Sequence, residues 1–292
     1  MRLSSIMISL IPLLTASYII MGYRVQWLIS MYLIGLTYGF ASALVSARRL
    51  YFLAEAAPHS ALLAVAMSIA LSTVADFNEL AAATLIGLAL VCSICYFIHR
   101  GVDQDIATAI YVSATASLSV ISMYFVMTRA ARVLEIASLL IGDPLLMTHR
   151  ELLYLSLIAA VVVALSALTY RGNVVIGVDS EYSKLIGMKV WLYDLTAFTV
   201  IGLTSIGLLR AVGYILEHIL LLVPAAIATN SHSSSEALKL AVSSSVFASV
   251  AGLLASITVN VAPSGTIGLT LLLIYTLSSI MRSGRGLGFA KS

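Results

Sequence analysis

Two pairs of ionisable residues lie inside apolar stretches of the sequence, where a charged side chain is costly and therefore points to function. Glu55 and His59 form the first pair, and Glu217 with His218 forms the second. A carboxylate oxygen combined with an imidazole nitrogen is a ligand set that suits Zn²⁺ or Mn²⁺. Both pairs are therefore candidate metal ligands.

The geometry of the first pair depends on Pro58, which stands directly before His59. Because proline suits the first turn of a helix, a helix is predicted to start near Pro58. Glu55 would then lie just ahead of this helix rather than one turn below His59. The alternative to a metal role is a carboxylate at a helix entry beside an interfacial histidine.

The second pair is adjacent in sequence, and adjacent residues on a helix point about 100° apart. Glu217 and His218 therefore cannot both easily bind one ion. Arg210 lies seven residues before Glu217, on nearly the same helix face, so an ion pair between the two is predicted. A structural role for this second pair remains open beside a metal role.

The composition defines the class of protein in which these pairs lie. The chain has 292 residues, of which 61% are hydrophobic and only 10% charged, and its mean hydropathy is +1.05. Such a chain cannot remain soluble. Apolar runs of about 20 residues, long enough to cross a ~30 Å hydrocarbon layer as helices, recur along it, and the alternating pattern of barrel strands is absent. A net charge of +3 is too small to indicate nucleic-acid binding.

The predicted fold is an all-α polytopic membrane bundle with nine to ten transmembrane helices in a single domain, residues 1–292. Residues 3–21 could cross the membrane once or form a signal-peptide core. Residues 129–149 are interpreted as a re-entrant or interfacial segment on the outer side. The span from residue 27 to 47 carries small residues four apart, which let another helix approach closely. Residues 282–292 are predicted to be a loose cytoplasmic tail.

The charges set the orientation of this layout. Most of the 16 Lys and Arg residues fall on one side, which the positive-inside rule makes cytoplasmic. With ten spans, both termini lie on that side.

The water-facing stretch of residues 171–194 interrupts the series of apolar spans, and it has helical character of its own. Asp179 or Ser180 can cap a short helix, and Gly187 can end it in a left-handed turn. Lys184 and Lys189 lie toward its C-terminal side, where the helix dipole favours cations. Such a helix suits docking to a soluble partner, and the alternative is an ordinary loop.

Six stretches, in order from about residue 28 to 281, resemble the permease subunit of metal-ion ABC importers, the class that takes up zinc, manganese or iron. EAAPHSALLAVAMSIAL, after Arg48 and Arg49, resembles the family's GDALSHAALPGVALA, and VDSEYSKLIGMKV is similar to its D-x-E-x-A-x-x-x-G-V coupling segment. The remaining stretches are VDQDIATAIYVSATASL, SLLIGDPLLMTHRELLYL, RAVGYILEHILLLVPAAIA and APSG.

This resemblance implies a fold like that of cobalamin-importer permeases. It also implies a homodimer, an ABC ATPase docked on each permease and an extracytoplasmic metal-binding protein. Residues 179–190 would be the coupling helix, with Asp179, Glu181, Lys184 and Gly187 contacting the ATPase. The chain has no G-x-x-x-x-G-K-[ST] phosphate loop, so ATP hydrolysis is expected on another polypeptide and the chain itself is not expected to be an enzyme.

The resemblance also matches Glu55 and His59 to the aspartate and histidine that bind the metal in the family's pathway. Two such pairs could face each other across a dimer axis and complete the coordination shell. This sequence departs from the pattern in having Glu for Asp and Pro58 for Ser. No permanently bound cofactor is expected, only transported Zn²⁺, Mn²⁺ or Fe²⁺.

Three alternatives remain open. A permease of the same fold could carry cobalamin, haem or iron chelates, which would not need a carboxylate–imidazole pair. An intramembrane metalloenzyme would need an H-E-x-x-H motif, which is absent. A secondary transporter would show inverted repeats, and no convincing internal repeat is found. Cys92 and Cys95 lie within an apolar run and are interpreted as structural.

Overall fold

The computed structural model describes residues 3–73, 78–129, 133–142 and 144–286. Within these ranges the chain forms twelve α-helices, one short 3₁₀ turn at Pro144–Leu146 and no strand. The helices are α1 (Leu3–Ile20), α2 (Val25–Arg48), α3 (Tyr51–Ser72), α4 (Glu79–His99), α5 (Gln104–Arg129), α6 (Val133–Ile141), α7 (His149–Val178), α8 (Ser180–Leu185), α9 (Val190–Val212), α10 (Tyr214–Ala228), α11 (Ser234–Val259) and α12 (Pro263–Gly286).

Nine of the described helices are long and apolar enough to cross a membrane, and they include the N-terminal α1. A tenth apolar helix, α10, has 15 residues and is about 22 Å long at 1.5 Å per residue, so it is too short to span the full layer alone. The all-α polytopic fold is therefore confirmed. The prediction of a loose tail is wrong for residues 282–286, because α12 continues to Gly286, and residues 287–292 lie outside the described part.

The core is built around α2, which packs along α11, α7 and α10. Gly35 and Gly39 lie on its small-residue face. A Cβ atom added at Gly35 would lie 2.7 Å from the Cα of Val246, and one at Gly39 would lie 2.7 Å from the Cα of Val242. Because neither position has room for a side chain, the backbones of α2 and α11 are in contact. The predicted close approach of a second helix to this face is confirmed.

The prediction that a helix starts at Pro58 is wrong. Helix α3 begins at Tyr51, and Pro58 lies buried inside it. Proline is tolerated within membrane helices because neighbouring groups and small local adjustments satisfy the backbone that it frees. Here α3 is enclosed by α4, α5 and α9. Glu55 and His59 therefore occupy one continuous helix, four residues apart, and lie on one face.

The water-facing interruption is shorter than the predicted stretch of residues 171–194. Helix α7 continues through Arg171 to Val178, because its last turns pack on other helices. A Cβ atom at Gly177 would lie 1.8 Å from the carbonyl oxygen of Ala47 on α2, and one at Gly172 would lie 2.3 Å from the Tyr193 ring on α9. What remains between α7 and α9 is the short helix α8 with its two turns.

A buried polar network ties the predicted cytoplasmic ends of three helices together. Arg48, in the last turn of α2, donates to the Asn173 amide oxygen on α7 at 3.0 Å and forms an ion pair with Asp194 on α9. Asn173 is fully buried, and the side chains of Arg48 and Asp194 are only 10% and 15% exposed. The network therefore fixes α2 against the two helices that flank α8.

Replacing Arg48 with methionine should destabilise the protein, because Asp194 would keep its charge in a largely dry position without this partner. Removing one member of a fully buried ion pair costs about 3–5 kcal/mol, and the partial exposure here reduces the expected cost to roughly 2 kcal/mol. Thermal unfolding of the purified protein should then begin several degrees lower. Arg171→Met is the matched control, since it removes an exposed charge from α7, two residues before Asn173. Equal unfolding temperatures for the two variants would contradict a stabilising role for the network.

Candidate metal centre

The second and third turns of α3 carry Glu55 and His59. The Glu55 side chain is exposed on the surface of the chain, and His59 is half-buried. His59 lies near the middle of the 22-residue helix. A carboxylate and an imidazole therefore share one helix face at a depth where an unpaired charge would be costly.

The start of α10 is fixed by a contact between two glycines. Gly213 separates α9 from α10 with φ +82°, and Gly142, at the end of α6, has φ +67°. A Cβ atom at Gly213 would lie 2.4 Å from the Gly142 nitrogen, and one at Gly142 would lie 2.1 Å from the Val212 carbonyl carbon. Only glycine suits both the positive φ and the absence of space. This contact determines where α10 begins, and with it the position of Tyr214 and His218 in its first two turns.

Helix α10 brings His218 to the pair on α3. Ligand atoms of Glu55, His59 and His218 all lie within 4.8 Å of one another. The His59 and His218 rings meet edge to face with centroids 5.4 Å apart. Two imidazoles and one carboxylate from two helices therefore converge on a space of the size that one metal ion requires.

Tyr214 supports both imidazoles. Its hydroxyl lies 3.1 Å from the ring nitrogens of His59, and its backbone carbonyl accepts a hydrogen bond from Nδ1 of His218 at 2.9 Å. Because a carbonyl can only accept, Nδ1 of His218 carries the proton, and the neutral ring keeps the lone pair on Nε2 for a ligand. Sequence reasoning missed Tyr214. Its only signal was the four-residue spacing to His218.

Glu217 does not join this cluster. It is fully buried beside Ser205, and neither of its carboxylate oxygens makes a well-formed hydrogen bond to the described residues. The predicted ion pair with Arg210 is wrong, because Arg210 instead bonds the Glu79 carboxylate on α4 at 2.9 Å. Gly213 breaks the helix between Arg210 and Glu217, so the two side chains no longer share one helix face.

The short helix α8 has the termini that the sequence predicts. The Asp179 carboxylate accepts the Tyr182 N–H at 2.9 Å, and Gly187 turns the chain with φ +83°. Glu181 and Lys184 pair at 2.7 Å across one turn. At the end of this helix Leu185 is 86% exposed. The helix thus presents a mixed charged and apolar surface, and its role in docking stays a prediction.

A helical bundle in which nine of the described helices are long and apolar enough to cross a membrane defines a polytopic membrane protein. The chain belongs to the ABC 3 transport family, whose sequence model matches residues 4–282. It is a multi-pass protein of the cell membrane and the permease component of an ABC transporter.

Individual relatives agree with this family. The chain is 25% identical over 271 residues to the manganese transport system membrane protein MntC of Listeria monocytogenes, covering 90% of this chain and 92% of that protein. It is 24% identical over 253 residues to the high-affinity zinc uptake system membrane protein ZnuB of Buchnera aphidicola, covering 86% and 94%. PsaBC from Streptococcus pneumoniae, solved with a Fab, superposes with a TM-score of 0.76 at 23% identity, covering 90% of this chain and 95% of that one. The resemblance to permeases of metal-ion ABC importers is confirmed.

Gly213→Ala should displace the first turn of α10, because the new methyl group meets backbone atoms at 2.4 Å in a conformation that L-residues rarely adopt. We expect a lower unfolding temperature and at least tenfold weaker Zn²⁺ binding by the purified protein, since displaced ligands lose their geometry. Gly22→Ala is the control, because Gly22 also has a positive φ but open space around it. If both variants bound Zn²⁺ like the wild type, the glycine contact would not position the cluster.

Proposed function

We propose that this chain is the permease subunit of an importer of divalent transition-metal ions, and that Glu55 and His59 bind the ion as it crosses. The observation that carries the proposal is the convergence of their ligand atoms with that of His218, which lies on a different helix. The manganese and zinc transport functions named for the curated relatives support the same class of substrate.

The physical need for these ligands follows from the low dielectric of the membrane. A divalent ion cannot enter hydrocarbon bare, so the pathway must replace its water with fixed donors. The Glu55 carboxylate offsets part of the ion's charge, and His59 supplies a neutral nitrogen. The ion is the transported substrate, and no permanently bound cofactor is proposed.

A second copy of the chain is the proposed partner at the ion pathway. The Glu55 side chain is exposed in the single chain, although it lies at the depth of a membrane span. A carboxylate exposed to lipid would be unfavourable, and an isologous dimer would cover it and place two clusters near the axis. We therefore propose a homodimer with the pathway at its interface.

ATP hydrolysis on a separate ABC ATPase is proposed to drive transport, with α8 as the contact. Leu185 and the charged pair Glu181–Lys184 face outward on this helix. Movement of α8 would reach the ion through α7 and α9, which the Arg48 network joins to the end of α2. Helix α3 starts directly after that end, so Glu55 lies within two turns of the junction. An extracytoplasmic metal-binding protein would deliver the ion on the other side.

His59→Ala and Glu55→Gln should each abolish metal uptake while the protein stays folded, because the first removes a nitrogen ligand and the second removes the charge that offsets the ion's. The measurement is uptake of radioactive Zn²⁺ and Mn²⁺ into proteoliposomes that contain the permease with its ATPase. His149→Ala is the control, since this histidine lies exposed at the start of α7. Wild-type uptake by His59→Ala would overturn the proposed site, and uptake of a metal chelate instead would indicate a different substrate.

Gly187→Val should weaken binding of the ATPase, because a β-branched residue is strained at φ +83° and would distort the end of α8. Co-purification of the ATPase with the permease measures the effect. Gly101→Val is the matched control, since Gly101 also has a positive φ with open space around it but lies in the turn after α4. Equal recovery of the ATPase with both variants would show that α8 is not the docking element.

A further inference from the structure

We infer that His218 is a third ligand to the transported ion from the same chain, and that the resulting set of two imidazoles and one carboxylate makes the pathway select Zn²⁺ over Mn²⁺. This inference rests on the proposed function of Glu55 and His59. The inference adds a ligand from a different helix to the proposed site, and it narrows the preferred ion from divalent transition metals in general to Zn²⁺.

The first step is the position of His218. Its helix, α10, starts at the glycine contact between Gly213 and Gly142, which leaves no room for the first turn to slide. Ligand atoms of the three side chains lie within 4.8 Å of one another. Zinc holds nitrogen and oxygen ligands at about 2.0–2.2 Å, so small side-chain rotations are enough to close the three donors on one ion.

The second step is the orientation of the ring. Nδ1 of His218 donates to the Tyr214 carbonyl at 2.9 Å, so that in the neutral ring Nε2 carries the lone pair. Histidines that bind metals usually donate their second nitrogen to a carbonyl or carboxylate in this manner. The same tyrosine bonds the His59 ring through its hydroxyl. Tyr214 therefore orients both imidazoles, and it acts as a positioning residue and not as a ligand.

The third step is the preference of the ligand set. Zn²⁺ accepts two histidines and one glutamate with a fourth position open, whereas Mn²⁺ lies at the weak end of the Irving–Williams order and favours oxygen ligands. Glu55 and His59 alone supply one oxygen and one nitrogen ligand, which would discriminate little between Zn²⁺ and Mn²⁺. With His218, two of the three ligands are nitrogen.

The experiment compares the affinities of the permease–ATPase complex for Zn²⁺ and Mn²⁺, measured in competition with a fluorescent chelator. His218→Ala should weaken Zn²⁺ binding at least tenfold, since even loss of a supporting hydrogen bond around a metal ligand costs roughly 10–100-fold. Binding of Mn²⁺ should fall much less, so the Zn²⁺ preference should shrink. His218→Asp supplies an oxygen at the same position and should shift the preference toward Mn²⁺.

Two further readouts separate a ligand from a structural histidine. Tyr214→Phe removes the hydroxyl at His59 but keeps the backbone carbonyl that orients His218, so it should weaken binding of both ions and leave their ratio nearly unchanged. Co²⁺ bound to the wild-type complex should give the strong visible absorption of a four-coordinate ion, and His218→Ala should lose it. An unchanged Zn²⁺ to Mn²⁺ ratio and an unchanged Co²⁺ spectrum in His218→Ala would overturn the inference.

Failure of this inference is distinct from failure of the proposed function. Uptake that depends on His59 but shows the wild-type ion preference in His218→Ala rejects only the role of His218. Uptake of either ion that is independent of His59 rejects the metal site as a whole. Co-purification of each variant with the ATPase, compared with His149→Ala, excludes misfolding as the cause of a loss.

Discussion

The contact between Gly142 and Gly213 is the constraint on which the candidate centre depends. Both residues have positive φ, and each occupies space in which the other's Cβ atom would clash with backbone. The contact interrupts the path of α9 and starts the short α10 inside the bundle. It thereby places the first two turns of α10 beside the second and third turns of α3. Without this interruption, His218 would continue the line of α9 and could not meet His59.

Polar interactions connect helices at two places in the bundle, around the ligand cluster and at one end. Around the ligand cluster, the Tyr214 hydroxyl contacts the His59 ring, and its backbone carbonyl accepts a hydrogen bond from Nδ1 of His218, which leaves Nε2 of His218 for an ion. At the predicted cytoplasmic end, Arg48 joins α2 to α7 and α9. The turn after Arg48 leads directly into α3, so the Arg48 network lies close along the chain to Glu55 and His59. A displacement of α8 would therefore reach the ligands through packed helices and not through a flexible loop.

Two sequence predictions failed for related reasons. Pro58 is a helix-start signal in water, but enclosure by neighbouring helices allows α3 to continue through it. Arg210 and Glu217 share a helix face only if the helix is continuous, and Gly213 breaks it. In both cases a local rule was overridden by packing. The failure at Pro58 strengthens the site, since Glu55 and His59 gain a common helix.

The sequence by itself determined the class of protein, the apolar spans, the small-residue face of α2 and the capped helix α8. These features depend on composition, on helical periodicity and on side chains that bond within a few residues. Glu55 and His59 could also be chosen from sequence, because ionisable groups stand out in apolar runs. Only the tertiary structure brought Tyr214 and His218 to them and turned Arg210 toward Glu79. The His59–Tyr214 contact joins residues 155 apart in the chain, and no local pattern encodes a distance that helix packing sets.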